Sequence, residues 1–131
     1  LEFERFEFDE ARLRARFIAF ASASLVIVKR EEMTMPTFLI TMSWTGQGIR
    51  NIKDAPKRAA AARETAKKLG VEIKETYVTT GESDLLAIVE SASGDHVAKF
   101  CMAIGSQGNV RTRTVRAWSQ ADYAKLISEL P

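Results

Sequence analysis

From residue 35 onward the sequence predicts a mixed α+β domain with the element order β-α-β-β-α-β-α. Three observations carry this. Two segments, 37–44 and 71–81, alternate between two faces with a period of two, as strands do, and turn residues set off two more strands, 84–93 and 109–118. Other segments place apolar residues at helical spacing. Glycine, proline and capping residues punctuate the joints between them. That order is the ferredoxin-like split βαβ plan, one sheet with helices on one face, extended by a C-terminal helix.

The first strand is TFLITMSW (37–44), with Phe38, Ile40, Met42 and Trp44 in one row and Thr37, Leu39, Thr41 and Ser43 in the other. Thr45 and Gly46 end it, and residues 46–54 form a short helical turn with Ile49 and Ile52 on one face. Pro56 suits the first turn of the next helix, where its missing N–H costs nothing. KRAAAARETAKKL (57–69) is the strongest helix signal, being filled with alanine and straight side chains. Its face Ala59, Ala62, Ala66 and Leu69 permits close approach to a sheet, while Arg58 and Glu64 are expected elsewhere. Gly70 is the expected left-handed residue after it.

VEIKETYVTTG (71–81) alternates again: Val71, Ile73 and Tyr77 share a parity, interrupted by Glu75. Gly81 and Glu82 turn the chain into a strand over 84–93. Gly94 and Asp95 start a helix to residue 105, with Val97, Phe100, Cys101 and Ile104 at helical spacing. Residues 105–109 form a loop, and 109–118 the fourth strand. Ser119 caps a last helix over 120–130, whose apolar side is Tyr123, Leu126, Ile127 and Leu130.

Both central strands carry apolar residues on two faces: Phe38 and Leu39 point oppositely, as do Leu85 and Leu86. The sheet face opposite the helices therefore needs a cover, and a homodimer or higher homo-oligomer through that face is expected.

Residues 1–34 differ in character. An acidic and aromatic leader and three arginines precede an apolar run over 17–28. Twelve residues are too few for a membrane span, which takes about 20, so no integral membrane role is expected. Three readings stay open for this stretch: an extension ahead of a start at Met35, an element packed on the domain, or an export or membrane-surface segment. The division is thus 1–34 and 35–131, with the domain expected in the cytoplasm.

Composition limits the chemistry. The net charge of +2 gives no broad electrostatic case for nucleic acid. The third strand also lacks the aromatic and basic residues of an RNA-binding sheet. One histidine, His96, and one cysteine, Cys101, exclude multi-histidine and multi-cysteine metal sites, and no metal or cofactor is expected. The loop 105–109 lacks the lysine of a P-loop.

The stretch MPTFLITMSWTGQGIRNIKDAPKRAAAARETAKKLG, followed by GESDLLAIVE and AIGSQGNVRTRTVRAW, closely resembles the GYD domain family. The resemblance covers 35–131 and none of 1–34. It implies a small α+β fold similar to dimeric α/β-barrel proteins, and no particular reaction. The family signature, in many members Gly-x-Tyr-Asp, reads Gly81-Glu82-Ser83-Asp84 here, so serine stands where the tyrosine is expected.

The leading functional expectation is a small-molecule-binding or regulatory dimer. Trp44 and Tyr77 would wall an apolar pocket between sheet and helices, with Asp84 beside it. Arg111 and Arg113, two apart on one strand face, would supply charge for an anionic group. The alternative is a cofactor-free oxygenase or isomerase of the dimeric α/β-barrel type. It needs Asp84 or His96 as an acid or base facing an enclosed cavity. Against it, an aspartate after a glycine turn commonly caps backbone N–H groups, and a first-turn histidine beside Asp95 is commonly solvated.

Overall fold

The computed structural model describes residues 35–131, and the readings of 1–34 lie outside the described residues. Strand β1 (Thr37–Trp44) leads into a short helix α1 (Gly46–Arg50), a 3₁₀ turn (Ile52–Asp54) and helix α2 (Ala55–Lys68). Strands β2 (Val71–Val78) and β3 (Leu85–Ser91) follow, then helix α3 (Gly94–Gly105), strand β4 (Val110–Ala117) and helix α4 (Gln120–Ser128). The sheet order is β2-β3-β1-β4, with each neighbouring pair antiparallel. This is the expected ferredoxin-like split βαβ arrangement.

The core lies between the sheet and helices α2 and α3. Ile40, Val71, Ala87 and Val89 from the sheet meet Ala66 of α2 and Val97, Phe100 and Ile104 of α3, all buried. Phe38 and Met42 flank Ile40 in the expected inward row. Strand partners in an antiparallel ladder share a face, so the register fixes the outward row. Leu39 pairs with Ile88 and Val115, and Thr41 with Leu86 and Arg113.

Helix ends follow local chemistry. Thr45 accepts from the Gly48 N–H at 3.0 Å, and Ser93 caps α3 through the Asp95 N–H at 2.9 Å. Helix α3 thus begins two residues before His96, which falls in its first turn. Ser119 accepts from the Asp122 N–H at 3.0 Å. Gly70 adopts the left-handed φ of 80° expected after α2, and a side chain there would meet the His96 ring.

Two expectations are corrected. The register of β2 shifts between Ile73, which pairs with Val89, and Glu75, which pairs with Ile88. Lys74 is the extra residue of this bulge, and one extra residue reverses every later side chain. Tyr77 therefore pairs with Leu86 on the open face rather than joining Val71 and Ile73 over the core. Second, the alanine seam of α2 is not uniform. Ala66 is fully buried against the core, while Ala62 is only partly so and Ala59 is exposed.

The sheet face opposite helices α2 and α3, the open face among the described residues, carries sorted charge. Glu72, Glu75 and Glu90 share the β2–β3 half, and Arg111 and Arg113 lie on β4. Arg116 faces the other way, opposite Phe38; its guanidinium lies 4.5 Å from the Trp118 ring centroid and 5.7 Å from that of Phe38. Beyond Trp118, helix α4 has no buried residue, and Tyr123, Leu126 and Ile127 of its apolar side are exposed.

Candidate functional site

Where the alanine seam gapes, a cavity of about 360 Å³ separates the N-terminal half of α2 from the sheet. Ala59 and Ala62 are too short to fill this space. The opposite walls are Met42 and Trp44 of β1, Ile73 of β2, Phe100 and Ile104 of α3, and Val110 of β4. The size is near the lower end for ligand pockets, which run roughly 300–1,000 Å³. Charge enters through Arg58 and Arg63 of α2. Among the described residues no carboxylate and no imidazole lines it.

Arg58 was expected away from the apolar face, yet it lines the cavity. The signal was its spacing: 58, 62 and 66 are four apart, so Arg58, Ala62 and Ala66 form one stripe. Its Nη1 donates to Asn51 O at 2.7 Å and its Nη2 to Gly48 O at 3.2 Å, which ties α2 to α1. Helix α1 is in turn locked to the loop before β4. The Thr45 N–H donates to Asn109 O at 3.0 Å, and Gln47 Nε2 donates to Gln107 O at 3.0 Å and Asn109 Oδ1 at 2.9 Å. Gly48 is required here, because a Cβ would collide with Asn109 O.

The six residues singled out in the sequence disperse. Trp44 lines the cavity. Tyr77 also borders it, but its phenol is turned to the open face, where it donates to Glu75 Oε1 at 2.8 Å. That bond, with the charge of Glu75, raises the Tyr77 pKa above its ordinary value of 10.0. Asp84 Oδ2 accepts the Trp44 N–H at 2.9 Å, and the Asp84 N–H donates to Met42 O at 2.8 Å. Asp84 thereby fastens the end of β1 and fixes the position of Trp44. His96 lies at the far end of the sheet, its Nδ1 3.4 Å from Ser91 Oγ. Arg111 and Arg113 pair with Ser43 and Thr41 on the open face and do not reach the cavity. Cys101 Sγ is 3.3 Å from Thr114 Oγ1, beside the core. Among the described residues no group of three or more His, Cys, Asp or Glu could hold a metal ion.

A model of the GYD domain matches residues 38–127. The chain belongs to the GYD domain family. In this GYD domain the turn Gly81-Glu82-Ser83-Asp84 has Gly81 at φ 106°, and the Ser83 carbonyl accepts from Thr79 Oγ1 at 2.7 Å. The domain is similar to the glutamine synthetase and cystathionine beta-lyase binding protein of Thermus thermophilus. The two are 29% identical over 89 residues, covering 67% of this chain and 94% of the relative. Its fold is similar to the feast or famine regulatory protein of Mycobacterium tuberculosis, solved with L-methionine. There the TM-score is 0.52 at 18% identity, covering 86% of this chain and 72% of that one. The leucine response regulatory protein of M. tuberculosis aligns with a TM-score of 0.49 at 21% identity, covering 65% of this chain. The chain spans about half the length of that regulator, 51%. No helix among the described residues is long and apolar enough to cross a membrane.

Proposed function

We propose that residues 35–131 form a small-molecule-binding regulatory module that works as a homodimer. The observation that carries this reading is the 360 Å³ cavity beside Trp44, apolar in its walls and cationic at Arg58 and Arg63. An apolar ligand gains roughly 25 cal/mol per Å² of apolar surface it buries there. The enzyme alternative required Asp84 or His96 to face an enclosed cavity. Asp84 is engaged with the Trp44 backbone, His96 lies near Ser91, and neither lines the space.

Dimerisation would cover the open face. A two-fold axis along the central strands sets β4 of one copy over β2 of the other. By the strand register Arg113 then lies over Tyr77, two residues along from Glu75, while Leu39, Leu86 and Ile88 meet at the centre. In this reading the charge of Arg111 and Arg113 serves the interface, and ligand charge is met by Arg58 and Arg63.

A second reading, protein binding, draws on the exposed apolar side of α4 and on the name of the Thermus relative, which describes binding to two enzymes.

Native mass spectrometry of the full chain purified from its own host tests the proposal. The expected species is a dimer retaining a small molecule. A ligand-free monomer would overturn it.

A further inference from the structure

Beside the cavity lies an open polar groove of about 560 Å³, lined by Gln47, Asn51, Asp54, Lys57 and Arg58 among others. Three residues, Arg58, Gln107 and Asn109, line both spaces. They form a shared wall between an apolar chamber and a polar one. We propose that the ligand of this site is an amphipathic anion. Its apolar end occupies the cavity beside Trp44, and its carboxylate or phosphate head passes the Arg58–Gln107–Asn109 wall into the groove. The inference deepens the small-molecule reading and rests on it.

The chemistry of the wall supports an anionic head. Arg58 is half-buried and held in place by its bonds to Asn51 O and Gly48 O. Those bonds use two of its five N–H donors, so the guanidinium is oriented before any ligand arrives. Lys57 adds a second positive charge on the groove side, against one carboxylate, Asp54. Gln107 and Asn109 supply neutral polar groups, and the clamp from Gln47 Nε2 holds the Asn109 amide. A neutral apolar ligand would use only the cavity. A small polar anion would use only the groove. A molecule joining the two uses both, and the shared wall sets the distance between its parts.

The cavity is too small for a two-chain lipid, so the head belongs to a free single-chain or single-ring molecule. Octanoate, octyl phosphate and octanol are suitable probes, since they share one tail and differ in head. Their affinities for the full chain are measured by calorimetry, together with binding to vesicles of anionic phospholipid. The expected result is that octanoate or octyl phosphate binds about tenfold more tightly than octanol. Arg58→Gln should abolish that preference; it also loses the bonds to Asn51 O and Gly48 O, so a thermal melt and octanol binding are read alongside it. Arg58→Lys should retain most of the preference, and Lys57→Gln should lose part of it. The stronger of the two anions identifies the head as carboxylate or phosphate.

Equal binding of octanol and both anions would overturn the inference while leaving the cavity as a binding site. Binding of none of the three would overturn both readings. Vesicle binding that persists in Ala62→Leu, with no free anion bound, would also overturn it in favour of a membrane surface.

Discussion

The Trp44 N–H donates to Asp84 Oδ2 at 2.9 Å, joining the last residue of β1 to the residue before β3, 40 positions on. The aspartate carboxylate is thus committed to backbone satisfaction, and the indole beside the cavity is held from its own main chain. In the sequence an acid in this place is more commonly a backbone cap than a catalyst, and the hydrogen bond to the Trp44 N–H is of the capping kind.

Asp84→Ala leaves the Trp44 N–H without this acceptor. A hydrogen bond to a charged acceptor is worth about 1.5–3 kcal/mol, so the variant should lose roughly that much stability in urea denaturation. Trp44 fluorescence should shift as the indole is released. Asp84→Asn keeps an acceptor oxygen and should lose less.

The seam of α2 gives a paired prediction. Ala66 is fully buried in the core cluster, and leucine there overpacks, costing about 1–3 kcal/mol. Ala62 borders the cavity, so leucine there fills empty space and should leave stability equal or raised. Thermal melts of the two variants should move in opposite directions, or the second not at all.

Much of this fold is legible in the sequence. Alternation over 37–44, the alanine-rich run, Gly70, Ser119 and the Gly81 turn each act locally, so local patterns reveal them. The side on which Tyr77 emerges is not local: it depends on the bulge at Lys74, set by how β2 registers on β3. Glu75, interrupting the apolar parity, was its one sign. The site was half legible. Trp44 followed from its row, while Arg58 was masked because an arginine beside alanines reads as solvent-facing. Its four-residue spacing from Ala62 tells otherwise.

Tyr77 and Glu75 test the bulge in solution. Their hydrogen bond exists only if both side chains share the open face. The carboxylate disfavours the phenolate and accepts from the neutral phenol, so the Tyr77 pKa lies above 10.0. Tyrosinate absorbance in a Tyr123→Phe background should show a late titration. Glu75→Gln should bring it down toward the ordinary value. An unshifted Tyr77 in the parent would place the two residues on different faces.

The sorted charges of the open face predict how the dimer responds. Arg113→Glu should weaken it, read by sedimentation, because it brings a like charge toward Glu75 across the two-fold axis. Adding Glu75→Lys should restore association. Recovery in the double variant distinguishes charge pairing from simple loss of the interface.

The most direct measurement for the central claim is a fluorescence titration of the full chain with 1-aminoanthracene, a neutral apolar probe, alongside Ala62→Leu. The cavity beside Trp44 predicts saturable binding with quenching of Trp44, both lost in Ala62→Leu while its melting temperature holds. No saturable binding, or binding that Ala62→Leu leaves unchanged, would contradict the assignment of this cavity as the ligand site.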